Sequence, residues 1–240
     1  MAKKQRIDKI LSNVGCGSRA EIKRDCKRGL IYVNGKQISN PGIQVDTDVD
    51  EIKFNGEIIK YREFVYIMLN KPDGYISATF DKRDPIVLDL IDKSYYIFEP
   101  FPVGRLDKDT EGLLVLTNDG QLSHRVLSPK KHVPKTYYAK IEGKVTNEDI
   151  LAFEEGVILD DGYKTMPAQL NILKSDEYSE IELTIHEGKF HQVKRMFESV
   201  GKKVVYLKRL SMGKLKLDET LQLGEYRELT EEEVKMIEER

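Results

Sequence analysis

The apolar positions near the start of the chain repeat with a helical period. They are spaced i, i+3, i+4 and i+7, and they are Ile7, Ile10, Leu11 and Val14. Ser18 and Glu21 have the spacing of a capping box, which predicts a second helix that runs to about Lys27. The run LIYVNGKQI that follows predicts two short strands around Asn34-Gly35, a dipeptide typical of type I′ hairpins. Residues 1–58 are therefore expected to form a unit of two helices and a hairpin.

The pattern changes after residues 59–64, which we interpret as a linker. Residues 65–240 contain apolar runs rich in β-branched and aromatic residues, which are typical of strands. They are FVYIMLN (64–70), part of KPDGYISA (71–78), LLVLT (113–117), KTYYAKIEG (135–143), SEIELTIHEG (179–188) and KVVYLKRLSMGKLKL (203–217). FHQVKRMFESVG (190–201) predicts an amphipathic helix. Many strands with few long helices favour an α+β fold, with a mixed, mainly antiparallel sheet flanked by helices.

Composition argues against several classes of protein. The chain of 240 residues is 40% hydrophobic and 33% charged, which is enough apolar sequence for a core. No apolar run is long enough to span a membrane, and the first residues lack the apolar segment of a secretory signal. Cys16 and Cys26 are too few for a disulfide framework and favour reduced thiols in the cytoplasm. No Cys/His cluster has zinc spacing, so no metal is expected.

The net charge of −2 conceals a segregation of charge along the chain. Residues 1–36 carry ten Lys and Arg against three acids, residues 187–216 carry nine against two, and residues 217–240 carry nine acids against three bases. Two basic blocks predict a polyanion-binding face, although each block alone is more typical of solvated surface. The predicted second helix presents cations at one-turn spacing that suit phosphate contacts; they are Arg19, Lys23, Arg24, Lys27 and Arg28.

The segment GRLDKDTEGLLVLTNDG, residues 104–120, concentrates polar side chains in a loop just before an apolar strand. Three interpretations compete. Asp107 and Asp109 match the first positions of a calcium-binding loop, but Asn118 stands where a bidentate Glu is required, which argues against calcium. The second interpretation is structural, with Asp and Thr side chains closing turns. The third is a catalytic Asp107 beside Arg105.

Five segments point to known families. Residues 6–36, RIDKILSNVGCGSRAEIKRDCKRGLIYVNGK, closely resemble the RNA-binding domain first seen in ribosomal small-subunit protein four, an S-four-type domain. The 104–120 segment is very similar to the signature of the pseudouridine synthases of the RsuA/RluB/RluE/RluF type. Other motifs of that family are resembled, in the same order, by LNKPDGYIS (69–77), KTYYAKIEG (135–143) and LTIHEGKFHQVKRMFESVG (183–201). The resemblance covers nearly the whole chain.

This resemblance implies isomerisation of a uridine within RNA, in which a C5–C1′ bond replaces the N1–C1′ glycosidic bond. No redox step or external donor is needed, so no cofactor is expected. The family's catalytic aspartate corresponds to Asp107, which attacks C1′ or C6 or removes a sugar proton. A cation is required to keep a buried carboxylate ionised, and by resemblance it is Lys194, with Arg195 as the adjacent alternative and otherwise an RNA contact. Tyr137 corresponds to the motif tyrosine expected to stack on the target uracil.

Further site residues are expected from the same resemblance. Arg105 would fill the gap left by a flipped-out uridine or hold a phosphate, unless it pairs with Asp109. Lys71 is expected beside the pocket, in the turn of the first motif. His191 and Gln192 are expected at a helix N-terminus, where such residues contact phosphate or substrate.

The short acidic tail favours the family members that modify small-subunit (16S) ribosomal RNA, with 23S ribosomal RNA as the alternative. Free ribosomal RNA and an assembling ribosomal particle both stay open as the partner, and a monomer is the default. Two other classes of protein were weighed. A non-catalytic RNA-binding factor would not need Asp107, and a glycoside hydrolase using Asp107 and Glu111 would leave both basic blocks unexplained.

Overall fold

This structure is a computed structural model of the chain, and it describes residues 4–47, 49–59 and 61–239. The chain divides into two compact units. The first comprises Met1–Val65 with Lys93–Glu99, and the second comprises Tyr66–Asp92 with Pro100–Arg240.

The separate segment Lys93–Glu99 departs from the contiguous domains expected from the sequence, whose boundaries stay a prediction. The guanidinium of Arg62 lies 5.1 Å from the ring centroid of Phe98, a cation–π contact that ties this segment to the first unit. Part of the expected linker is packed, because Ile59 and Tyr61 contact the hydrophobic core of the first unit.

The first unit contains the two helices and the hairpin that the pattern predicted. The helices are α1 (Ile7–Asn13) and α2 (Arg19–Lys27), and the strands are β1 (Gln5–Arg6), β2 (Ile31–Val33), β3 (Lys36–Gln37), β4 (Gln44–Val45), β5 (Ile52–Phe54) and β6 (Glu57–Ile58). β1 pairs with β4, and β3-β2-β5-β6 form a sheet in that order. The Ser18 hydroxyl accepts from the Glu21 amide at 3.3 Å, which completes the capping box. Asn34 and Gly35 have φ of 50° and 75°, as a type I′ turn requires.

The second unit is built on one large sheet. Its strands are β7 (Tyr66–Lys71), β8 (Phe101–Pro102), β9 (Glu111–Thr117), β10 (Lys135–Glu142), β11 (Gln169–Lys174), β12 (Tyr178–Ile185), β13 (Lys203–Met212), β14 (Leu215–Lys216) and β15 (Tyr226–Glu228). Its α-helices are α3 (Gly120–Leu127), α4 (Asn147–Glu155), α5 (Gln192–Ser199) and α6 (Glu231–Met236). Short 3-10 helices are Val87–Leu90 and Pro129–Lys131, with Lys93–Phe98 in the first unit.

The strand order is β11-β12-β10-β13-β9-β7-β15, with β14 beside β13 and β8 beside β9. Among the described strands of this sheet, β9 and β13 pair in parallel and the other pairs are antiparallel. The prediction of a mixed, mainly antiparallel sheet in an α+β fold is confirmed.

The parallel junction of β9 and β13 requires a glycine. Gly112 pairs with Arg209 and has a φ of 99°. A Cβ added to Gly112 would lie 2.3 Å from the carbonyl oxygen of Arg209, so no larger residue fits without backbone movement. The close approach fixes the loop that precedes β9 against β13.

Two expectations about local structure need correction. The short strand expected in residues 71–78 is reduced to a single bridge between Ile76 and Ile86. α3 and α4 were not predicted, although Asp119 caps α3 by accepting from the amides of Gln121 and Leu122. Within the described residues, no helix is long and apolar enough to cross a membrane, and no group of His, Cys, Asp and Glu is arranged to hold a metal ion.

Candidate active site

The loop before β9 carries Asp107 and is held from two sides. Its turn is closed by the Thr110 amide, which donates to the Asp107 carbonyl at 3.1 Å. On the other side, Ser77 brackets Leu106, donating to its carbonyl at 2.9 Å and accepting from its amide at 3.0 Å. The loop is therefore positioned before any substrate arrives, as a functional loop on a rigid strand should be.

Lys71, at the end of β7, supports the same loop from inside. Its ammonium donates to the carbonyls of Pro72, Lys108 and Thr110 at 3.0, 3.1 and 2.8 Å. The side chain is fully buried, and burial lowers the pKa of Lys71 to about 8 although nearby carboxylates oppose that shift. All three donors are used within the protein, which fits the expected place of Lys71 in the turn of the first motif beside the pocket; a direct contact of Lys71 with RNA or substrate stays a prediction.

Lys71→Met is expected to slow the reaction by about 10- to 100-fold, because the carbonyls that it holds become free to shift Asp107. The folded-state pKa of Lys71 lies below the usual value of 10.5. Between these two values the unfolded chain binds more protons, so wild-type stability rises with pH across that window. In Lys71→Met the free energy of unfolding should increase less between pH 7.5 and pH 10 than in the wild type, as measured by urea unfolding. Lys140→Met, which removes an exposed lysine, is the control and should keep the rise.

Asp107 lies between two side chains from the start of α5, the imidazole of His191 and the ammonium of Lys194. The His191 Nε2 is 3.6 Å from Asp107 Oδ1, and the Lys194 Nζ is 3.5 Å from Asp107 Oδ2. Lys194 is closer to Asp109, donating to its two carboxylate oxygens at 2.6 and 2.8 Å. Burial acts to raise the pKa of Asp109, but the hydrogen bond and charge of Lys194 outweigh it and the pKa is lowered. The ammonium of Lys194 therefore forms ion pairs with two carboxylates, those of Asp107 and Asp109.

Arg195, the alternative cation, does not reach Asp107. Its guanidinium pairs with the carboxylates of Asp160 and Asp161. Of the two predicted cations, Lys194 is therefore the one whose charged group lies beside Asp107. A contact of Arg195 with RNA stays a prediction; in this structure its side chain is 13% exposed and paired with two exposed carboxylates.

A cavity of about 130 Å³ opens beside Asp107. Its wall on the sheet side is formed by β10 and β13, where Tyr137 lies directly across from Arg209. Tyr137 is 8% exposed, and its ring lines the cavity together with Asp107 and Leu207. Tyr138 points to the other face of β10, where its hydroxyl donates to Glu180 at 2.6 Å. The structure therefore brings the predicted Asp107 and Tyr137 into one pocket.

Arg105, His191 and Gln192 also line this cavity. Arg105 is exposed and forms no ion pair with a described residue; the alternative pairing with Asp109 is not formed, because Lys194 takes that carboxylate. His191 is the N-cap residue that precedes α5, and its backbone lies in the left-handed region with a φ of 48°. Gln192 is 4% exposed. Its side-chain oxygen accepts from the backbone amide of Lys189 at 2.9 Å, and its side-chain nitrogen donates to the Glu187 carboxylate at 2.8 Å. It therefore shapes the turn before α5.

The paired-carboxylate alternative is not supported by this geometry. Glu111 does not line the cavity, and its carboxylate accepts from the Tyr206 hydroxyl at 2.5 Å. Burial and this hydrogen bond raise the pKa of Tyr206. A glycoside hydrolase needs two carboxyl groups facing one substrate, and Asp107 and Glu111 do not provide them.

In the first unit, α2 carries the predicted cationic surface. Its buried side is formed by Ile22 and Cys26. The predicted cations are all exposed, and they are Arg19, Lys23, Arg24, Lys27 and Arg28. Arg28 and Arg24 form exposed ion pairs with Asp25 and Glu21 at 3.1 and 3.8 Å, which contribute little stability.

Comparison with known proteins agrees with both parts of the chain. Residues 65–199 match the family described as RNA pseudouridylate synthase, and residues 5–52 match the S4 domain. The chain belongs to the RNA pseudouridylate synthase family. As an RNA pseudouridine synthase it is an isomerase that acts on uridine in RNA.

Three relatives of this pseudouridine synthase match over almost their whole length. An uncharacterised RNA pseudouridine synthase of Bacillus subtilis (strain 168), YtzG, is 54% identical over 98% of both chains. Ribosomal large subunit pseudouridine synthase B of the same organism is 40% identical, covering 97% of this chain and 95% of that protein. Ribosomal small subunit pseudouridine synthase A of Yersinia pestis is 39% identical, covering 95% and 96%. A crystal structure of a pseudouridylate synthase matches with a TM-score of 0.68 at 40% identity, covering 97% and 99%.

Sequence reasoning missed four polar residues of the synthase pocket: Thr110, Lys135 and Arg209, which are buried, and Lys189, which is exposed. Thr110 lies in the segment 104–120 that resembles the family signature, but the resemblance implies no role for its side chain. Lys135 and Arg209 lie in runs that predict strands, where charged residues are usually exposed. Their alternation with Tyr137 and Leu207, which places all four on one sheet face, is the signal that was available.

Proposed function

We propose that this pseudouridine synthase isomerises one specific uridine of ribosomal RNA, with 16S ribosomal RNA as the substrate, and that Asp107 is its catalytic carboxylate. The observation that carries the proposal is the position of Asp107, which faces a cavity walled by Tyr137 and lies 3.5 Å from the ammonium of Lys194. A carboxylate, a base-sized aromatic surface and a cation then meet at one place.

The carboxylate of Asp107 has three available roles. It attacks C1′ of the ribose, attacks C6 of the uracil, or removes a proton from the sugar. Each role requires an ionised carboxylate within reach of a nucleotide that has left its helix. The ammonium of Lys194 lies 3.5 Å from Oδ2 of this carboxylate, so an opposite charge faces it. The uracil is retained and rejoined through C5, so no external donor enters the reaction and no cofactor is expected.

Tyr137 is proposed to hold the flipped uracil by its ring. Its hydroxyl makes no hydrogen bond with the described residues, and its side chain belongs to the cavity wall. Stacking uses the π-face that every base has, and it leaves the base edges free for other contacts. Arg105 is exposed beside this cavity and suits a backbone phosphate or the space vacated in the RNA helix.

The exposed face of α2 is proposed to hold the RNA through phosphates. The double substitution Lys23→Gln with Lys27→Gln is expected to weaken RNA affinity by about 10-fold at 0.1 M salt. It should also lower the slope of log affinity against log salt by about one to two, because two phosphate contacts are lost. Lys53→Gln is the control within the same unit, since Lys53 pairs with Glu51 at 2.9 Å. Filter binding across a salt series measures both, and an unchanged slope would remove α2 from the interface.

The choice of 16S ribosomal RNA is supported by relatives named for the small subunit, among them the Yersinia pestis protein at 39% identity. The large-subunit relative at 40% identity makes 23S ribosomal RNA the alternative. Pseudouridine mapping of both RNAs in a strain lacking this protein tests the choice. One 16S position that reverts to uridine, and returns on complementation, is the expected result. A 23S position that reverts instead would overturn the 16S assignment and keep the chemistry.

A further inference from the structure

The cavity beside Asp107 contains buried polar atoms that the protein leaves without partners. Arg209 is 2% exposed; its Nε donates to the Leu113 carbonyl at 2.8 Å, but its Nη2 has no hydrogen-bond partner among the described residues. Thr110 is 1% exposed, and its hydroxyl likewise has none. Both residues line the cavity. Buried polar atoms in native proteins are nearly always satisfied, so two orphans at one cavity indicate the polar atoms of a ligand.

Lys135 adds a second buried cation to the same wall. It is 9% exposed, lines the cavity, and donates to the Val133 carbonyl at 3.0 Å. Burial, and then the charge of Arg209, lowers the pKa of Lys135 to about 8. Neither Lys135 nor Arg209 forms an ion pair with a carboxylate in the described structure. This wall therefore favours a ligand group that accepts hydrogen bonds and carries or develops negative charge.

The register of the sheet places these cations around Tyr137. Arg209 of β13 is the direct partner of Tyr137 of β10, so the two side chains leave the same face. Lys135 precedes Tyr137 by two residues on the same strand and shares that face. A base stacked on Tyr137 would present its edges, and hence its carbonyl oxygens, towards the two cations.

Chain connectivity decides which part of a nucleotide reaches this wall. The phosphates of a flipped nucleotide stay joined to the rest of the RNA and remain near the exposed rim, where Arg105 lies. The base is the free end and is the part that enters furthest. Arg209 and Lys135 are the most buried cations of the cavity, so they meet the base rather than a phosphate.

We propose that Arg209, assisted by Thr110 and Lys135, binds the carbonyl oxygens of the target uracil and stabilises the negative charge that develops on them during the reaction. This inference rests on the proposed function, because it assigns the oxygens of the same flipped base. Preorganised donors aimed at developing charge are among the strongest contributions an enzyme makes to rate.

The charge arises whichever role Asp107 plays. If the N1–C1′ bond breaks, its electron pair stays on the uracil, which becomes an anion with charge on O2 and O4, while C1′ bonds to the carboxylate or its sugar loses a proton. If the carboxylate adds to C6, electrons move onto C5 and O4. When C5 joins C1′ in place of N1, the carboxylate leaves C1′ or C6, or returns its proton to the sugar. C5 then releases its proton and N1 takes one up, so product and substrate have the same atoms.

Thr110→Val separates this role from a structural one. The Thr110 hydroxyl has no partner among the described residues, so removing it should leave the unfolding temperature unchanged or raise it. The proposal expects a loss of about 10-fold in the single-turnover rate at saturating RNA. Arg209→Met should cost about 10²- to 10³-fold, with RNA affinity within about threefold of the wild type. Lys140→Met, on the opposite face of β10, is the control and should retain the wild-type rate.

The decisive measurement pairs these variants with altered bases. Short RNAs carrying uridine, 2-thiouridine or 4-thiouridine at the mapped position replace one carbonyl oxygen by sulfur, a weaker acceptor. In the wild type at least one thio substrate should react more slowly, and that penalty should largely vanish in Arg209→Met or Thr110→Val. Should Arg209→Met not fold, Thr110→Val carries the test. If the rate effect of each protein substitution and the rate effect of each thio base simply add, for both thio bases, the inference is wrong.

A second arm separates the base from the backbone. The same RNAs are made with a neutral methylphosphonate on either side of the target. If the rate effect of Arg209→Met depends on the methylphosphonate and not on the thio bases, the two cations bind a phosphate and the proposal is wrong. Failure of the proposed function itself looks different, because the wild type would then form no pseudouridine in the unmodified RNA.

Discussion

Asp107→Asn is expected to lower the rate of pseudouridine formation by more than about 10⁴-fold while RNA affinity stays within about twofold of the wild type. The amide keeps the size of the side chain but cannot act as nucleophile or base. The side chain is 28% exposed and is positioned by its backbone turn, so the fold should be unaffected. Tritium release from RNA labelled at C5 of uridine measures the reaction, because that hydrogen leaves when C5 joins C1′.

The neighbouring carboxylates provide the control for this variant. Asp84 belongs to the same unit and binds Lys108 of the same loop at 2.7 Å, yet it does not line the cavity. Asp84→Asn should therefore retain tritium release. Turnover that survives in Asp107→Asn would remove the catalytic assignment and favour the non-catalytic RNA-binding factor.

Lys194→Met is expected to lower the rate by about 10²- to 10³-fold, because two carboxylates would then face each other without their shared cation. Lys194 is 19% exposed and lies 2.6 Å from Asp109 and 3.5 Å from Asp107. The pKa of Asp109, which Lys194 now lowers, should rise. We expect the acid limb of the pH–rate profile to move to higher pH, measured in single-turnover reactions from pH 4.5 to 8.

A second substitution tests whether charge balance explains this loss. In the Lys194→Met background, Asp109→Asn removes one of the two negative charges and should restore part of the rate. The same Asp109→Asn change in the wild type should be mild, since Lys194 is then free to approach Asp107. If the double variant is no faster than Lys194→Met, the lysine has a role other than neutralising this pair, such as binding RNA directly.

The first unit was predicted well because its structure is set by local signals. The capping box of Ser18 and Glu21, the glycine at position 35 and the helical spacing of Ile7, Ile10 and Leu11 each act within a few residues. Each signal has one favourable conformation whatever surrounds it.

Prediction was weaker where long-range packing decided the outcome. The apolar run at Tyr75–Ile76 has strand character, but within the described part of the chain it forms a single isolated bridge, between Ile76 and Ile86. Lys93–Glu99 groups with the first unit, and Arg62, some thirty residues earlier in the chain, contacts Phe98 of this segment. No local pattern contains that contact.

The sequence by itself determined the family, the order of the motifs, the α+β class, and the choice of Asp107 and Tyr137 as site residues. Only the tertiary structure decided how the charges are distributed. Lys194 meets Asp109 across 85 positions of sequence, Arg195 turns instead to Asp160 and Asp161, and Arg209 enters the pocket by pairing across the sheet. Spacing along a chain fixes which residues share a strand or helix face, but the partner of a charge depends on which elements the fold brings within a few ångströms.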